Sequence, residues 1–144
     1  MAAISQSLKF FLNLTTAQTL TIKKFDSKLS SLGISLNEFM ILYHLGEAPD
    51  EKLRRTNLAE KVGLTASGIT RLLSPLEKLG MVKREANSRD ARVSYVKLAN
   101  AGKKILTEAI ASAEATSEQI LASVKTKKLE ELSKMLFELG ATIE

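Results

Sequence analysis

Residues 56–73, TNLAEKVGLTASGITRLL, decide the fold. Two short helical segments flank Gly63-Leu64. The first runs from Asn57 to Val62, with Thr56 at its N-cap and Gly63 as its terminator. Thr65 caps the second, which extends to about Leu79 and is closed by Gly80. A tight glycine-containing turn between two such helices is the mark of a helix-turn-helix. Ala59, Val62, Leu64, Ile69, Leu72 and Leu73 are spaced to fill the angle between them. In this motif the second helix enters a DNA major groove, its N-terminal turns against base edges.

Working outward, Met81–Glu85 and Val93–Leu98 read as two strands around the polar tip Ala86–Ala91, a hairpin that serves as a wing. Upstream, apolar residues recur at helical spacing from Ile4 to Leu32, and Gly33 ends that helix. Ser35-Leu36-Asn37-Glu38 is a capping box, opening a largely apolar helix from Leu36 to about Leu45 that Gly46 and Pro49 stop. Asn100 caps a long helix to about Val124. A last helix carries Leu129, Leu132, Leu136, Leu139 and Ile143. Pro75 removes an N–H from the second helix of the motif and is expected to kink it. The fold class is mainly α with a small β wing: residues 36–99 form a winged helix-turn-helix core, with helical extensions at 1–32 and 100–144 inside one 144-residue unit.

Charge is distributed unevenly. The net charge of +5 divides into zero over residues 1–50, +8 over 51–104 and −3 over 105–144. A basic middle between neutral and acidic ends suits a polyanion-facing module. The chain has no Cys and one His, which excludes disulfides, thiolate chemistry and His-rich metal clusters. It shows no signal peptide and no apolar run of the ~18 residues a membrane span needs, so the expected location is cytoplasmic. A chain of this length buries about two-thirds of its unfolded surface and needs no metal staple.

Five runs and one glycine together resemble the MarR (multiple antibiotic resistance regulator) family: residues 57–65, NLAEKVGLT; 68–73, GITRLL; 76–84, LEKLGMVKR; Asp90-Ala91-Arg92; Val96-Lys97-Leu98; and Gly102. The resemblance implies a homodimeric winged-helix transcription regulator, a repressor on a roughly palindromic double-stranded DNA operator, with the terminal helices of both subunits forming the dimer interface. It also implies an effector pocket near Phe39, Tyr43 and His44, taking a small organic anion or a phenol. A lone His in that helix is more often a core residue.

On the second helix of the motif, Thr65, Ser67, Gly68, Thr70 and Arg71 are the candidates for DNA contact. Ser and Thr can bond phosphate or bases, and Arg can bond guanine bidentately. The backbone N–H groups of the first turn form an anion site. At the wing tip, resemblance assigns Asp90 to brace the hairpin while Arg92 reaches the minor groove, where narrow A·T stretches attract guanidinium. Arg89, Lys83 and Arg84 would contact phosphate. Arg54 and Arg55 are backbone contacts or simply solvated. No phosphate-cradling glycine run and no catalytic triad points to an enzyme, and no cofactor or metal is implied. A winged-helix scaffold without DNA binding is the other reading, although a scaffold need not keep Ser67, Thr70, Arg71 and the wing arginines.

Overall fold

The computed structural model describes residues 1–144. Helix α1 (Gln6–Leu29) and a short 3-10 turn lead to α2 (Leu36–Glu47). Strand β1 (Lys52–Arg54) precedes α3 (Arg55–Val62) and α4 (Ala66–Lys78); β2 (Val82–Ala86) and β3 (Ser94–Leu98) form the hairpin; α5 (Asn100–Ile120) and α6 (Thr126–Glu138) follow. The sheet has the order β1-β3-β2, antiparallel throughout.

Local chemistry sets several boundaries. The capping box is present: Ser35 Oγ accepts the Glu38 N–H at 3.2 Å and Glu38 Oε1 accepts the Ser35 N–H at 3.0 Å. Gly63 ends α3 with φ +76, a left-handed conformation that glycine adopts without a Cβ clash. Gly46 does not stop α2, which continues to Glu47. Instead it lies inside the helix against α5, where a Cβ would come within 2.8 Å of Leu106 Cδ2. The expected caps Thr56 and Asn100 are displaced: Arg54 and Ala99 hold those positions in extended backbone, and neither makes a side-chain cap. Pro75 does not interrupt α4, which runs on to Lys78. Helix α5 ends at Ile120 and α6 at Glu138, so Leu139 is the C-cap and Ile143 lies beyond the helix.

The core gathers Leu29, Ile41, Leu42, Leu45, Leu58, Ile69, Leu73 and Leu76, all essentially inaccessible, with Val96 and Leu98 from the wing and Leu106 and Ala109 from α5. This one cluster therefore clamps the helix-turn-helix to the wing and to α5. No residue of α6 is buried, and Leu29 is the only buried residue of α1. Ile4, Leu8, Phe11, Leu12 and Leu20 of the first segment, and Leu132, Met135, Leu136 and Phe137 of α6, are exposed. The total surface is 10064 Å², against about 7,300 Å² for a compact monomer of this mass. No helix is long and apolar enough to cross a membrane.

Candidate nucleic-acid interface

Thr65 opens α4. Its Oγ1 accepts the Gly68 N–H at 3.1 Å and lies 3.2 Å from Ser67 Oγ, so the first turn is held by side-chain hydroxyls. Ile69, Leu73 and Leu76 are buried beneath the helix, and this phase leaves Ser67, Thr70 and Arg71 on the outer face. Arg71 makes no ion pair within the chain. A Cβ on Gly68 would come 3.3 Å from Thr65 Oγ1, so the glycine keeps the capped turn uncrowded. Thr70 is more engaged than its sequence position suggests. Its hydroxyl donates to the Ala66 carbonyl at 3.0 Å and accepts from Arg55 Nη1 at 3.3 Å. Arg55, half-buried at the start of α3, therefore leans over the outer face of α4.

The wing tip is organised by Asn87, a residue absent from the sequence-based candidates. Its Oδ1 accepts the N–H groups of Arg89 and Asp90 at 2.8 and 3.2 Å, and its Nδ2 donates to the Tyr95 hydroxyl at 3.0 Å. An Asn bonding its own backbone two residues on is a turn device, and that was the available signal. Asp90 Oδ1 then accepts both the Arg92 N–H at 3.0 Å and Arg92 Nε at 3.2 Å. These two bonds, with the more distant charge on Arg54, hold the Asp90 carboxyl below the usual carboxylate range. The Asp90–Arg92 pair is thus formed, with the Arg92 side chain 91% exposed beyond it. Arg89 is exposed beside it, and Arg84 is tied to α4 through Glu77 at 3.3 Å.

Strand β1 and its ion cluster were also missing from the sequence reading. Lys52 Nζ sits 2.8 Å from Glu85 Oε2, with Lys97 at 3.8 Å on the other carboxylate oxygen. The hydrogen bond from Lys52 is the main reason the Glu85 carboxyl is held low and the Lys52 ammonium high. Lys52 also lies 4.9 Å over the Tyr95 ring. Arg54 pairs across the ladder with Tyr95. Arg54, α4 and the wing tip are thereby joined to a single framework.

Phe39 and Tyr43 share the wall of a mostly apolar cavity of about 350 Å³ with Phe25, Leu36 and Met40. His44 is not part of that wall. It is buried, its Nε2 has no hydrogen-bond partner, and burial, then the charge of Lys61, lowers its pKa.

A buried three-helix core, a helix-turn-helix with an exposed outer face and an antiparallel wing define a winged helix-turn-helix protein. Residues 32–93 match the model of the MarR family. Over most of its length the chain also superposes on solved regulators. BldR from Sulfolobus solfataricus is 28% identical, with 96% of this chain and 99% of that one covered at a TM-score of 0.81. Sco3205 from Streptomyces coelicolor, a MarR family regulator solved in complex with DNA, is 23% identical over 96% and 89% of the two chains, TM-score 0.85. The organohalide-sensing regulator RdhR-CbdbA1625, solved with 2,4-dichlorophenol bound, is 20% identical over 95% and 80%, TM-score 0.85. The helix-turn-helix and wing thus match the MarR family of transcriptional regulators, and the whole fold is similar to theirs.

Proposed function

We propose that this chain acts as a homodimeric repressor that binds a pseudo-palindromic double-stranded DNA operator and is released by a small organic effector. The observation that carries the reading is the outer face of α4. Arg71 stands free and Ser67, bonded only to Thr65 Oγ1, is exposed on a helix whose opposite face is locked into the core, and the braced Asp90–Arg92 wing tip flanks it. Arg71 and Ser67 would read base edges. Arg92 would enter the minor groove, and Arg54, Arg84 and Arg89 would hold phosphates. Arg55 would act by steering Thr70.

Dimerisation is supported by the exposed apolar faces of α1 and α6 and by the excess of surface over a compact monomer. That excess is of the order an obligate interface buries, about 2,000 Å² or more. Effector release is supported by the Phe39–Tyr43 cavity and by the bound phenol of the organohalide sensor.

A gel shift on duplex DNA selected from random sequence tests the reading. One copy pair should engage two half-sites about 34 Å apart, with affinity falling steeply as salt rises. Failure to shift any duplex at low salt would leave the scaffold reading in its place.

A further inference from the structure

The segment after α6 doubles back onto the helix-turn-helix. Thr142 Oγ1 donates a 2.7 Å hydrogen bond to the Lys61 carbonyl, across 81 positions of sequence. Lys61 lies in the last turn of α3, where carbonyls lack intrahelical donors. The N–H groups of Gly63 and Leu64 go to Ala59 and Glu60, which leaves the Lys61 carbonyl to Thr142. The next residue, Ile143, stands on the wall of the apolar cavity that holds Phe39 and Tyr43. Ile143 and Met40 also line a second cavity of about 470 Å³, bounded by Glu60–Gly63 at the end of α3 and by Leu136 of α6. One short strap therefore touches both the candidate effector cavity and the turn that sets the angle of α4.

We propose that residues 142–143 link effector to reading head: an apolar molecule filling the cavity takes the place of Ile143 and draws Thr142 off Lys61. This rests on the effector reading of that cavity. The wall also selects the ligand class. Its single charged residue is Glu114, and Ser117 is the only other polar side chain besides Tyr43. A carboxylate ligand would meet Glu114 as a like charge, whereas a neutral ring would not. The occupant is a neutral phenol or similar aromatic, not an organic anion.

Two variants separate the parts, Thr142→Val and deletion of residues 142–144. Both keep Ala141, whose N–H bonds the Leu136 carbonyl and closes α6. Without any ligand, amide hydrogen exchange at residues 61–65 should quicken about 3- to 10-fold in both variants, the weight of one net hydrogen bond. Exchange on α5 should not change. Unaltered exchange at 61–65 overturns the link. In calorimetric titration, p-cresol should bind the deletion variant about 3- to 10-fold more tightly than the full chain, and benzoate more weakly than p-cresol in both. Equal p-cresol affinities, or a preference for benzoate, overturn the competition with Ile143. If p-cresol binds neither chain, the effector reading and the link to it both fail, while operator binding by the full chain still judges the regulator reading separately.

Discussion

Arg71 carries its charge on the outer face of α4 with no carboxylate to neutralise it, so its guanidinium is free for a base edge. Arg71→Ala should weaken operator binding by ~1–3 kcal/mol and relax preference at one base position. Competition gel shifts with single-base operator variants would measure both effects, and undiminished discrimination would assign Arg71 to phosphate instead. His44 offers a different test, one of stability. Its folded pKa lies below 6.5, so beneath that pH the unfolded chain takes up a proton that the folded site refuses. Stability should be fully present above pH 6.5 and fall with pH below it, until the folded pKa is reached. His44→Leu removes both the unpartnered Nε2 and the titration. Chemical denaturation at pH 7.5 and 5.5 should show a smaller acid loss in that variant than in the parent.

At the scale of elements, α5 approaches the wing so closely that Gly102 has no room for a side chain: a Cβ there would collide with the Met81 carbonyl. The same carbonyl accepts the Ala99 N–H at 2.9 Å, so it cannot swing aside without losing that bond. Gly102→Ala should cost about 1–3 kcal/mol, the usual scale of overpacking, seen as a lower denaturation midpoint with an unchanged slope. Elements whose instructions are local were legible in the chain. The Ser35–Glu38 box, the Thr65 cap and the Gly63 turn each lie within a few residues of what they control. Strand β1 was not legible, because its partner Lys97 lies 45 positions from Lys52 and three residues are too few for an alternation to emerge. The candidate site divides the same way. The phase of α4 places Ser67 and Arg71 from spacing alone, whereas the Arg55–Thr70 bond needs two elements already docked. His44 shows the limit from the other side, since one helical step decides between a cavity wall and a buried, unpartnered position.

For the molecule as a whole, the exposed apolar faces of α1 and α6 are the largest unsettled account. A monomer would hold Phe11, Leu132, Leu136 and Phe137 in water. Pairing of two copies through α6 is therefore expected, and Leu132→Asp with Leu136→Asp should convert a dimer to a monomer in sedimentation at micromolar concentration. The monomer should keep its winged-helix signal in circular dichroism, because α6 contributes nothing to the core, and should lose most of its operator affinity. A dimer that survives both charges would move the interface elsewhere.

The three-stranded sheet has a mechanical consequence. Because β1 runs straight into α3 and pairs with β3, the hairpin is bolted to the front of the reading helices as well as hanging from their rear. Wing tip and α4 then behave like the two jaws of a calliper with the screw tightened. On the proposed operator, the span read by one copy would then be set by the sheet, and a site of the wrong internal width should be rejected. In the proposed dimer two quantities would stay adjustable: the gap between the two callipers, and the hold of Thr142 on the end of α3.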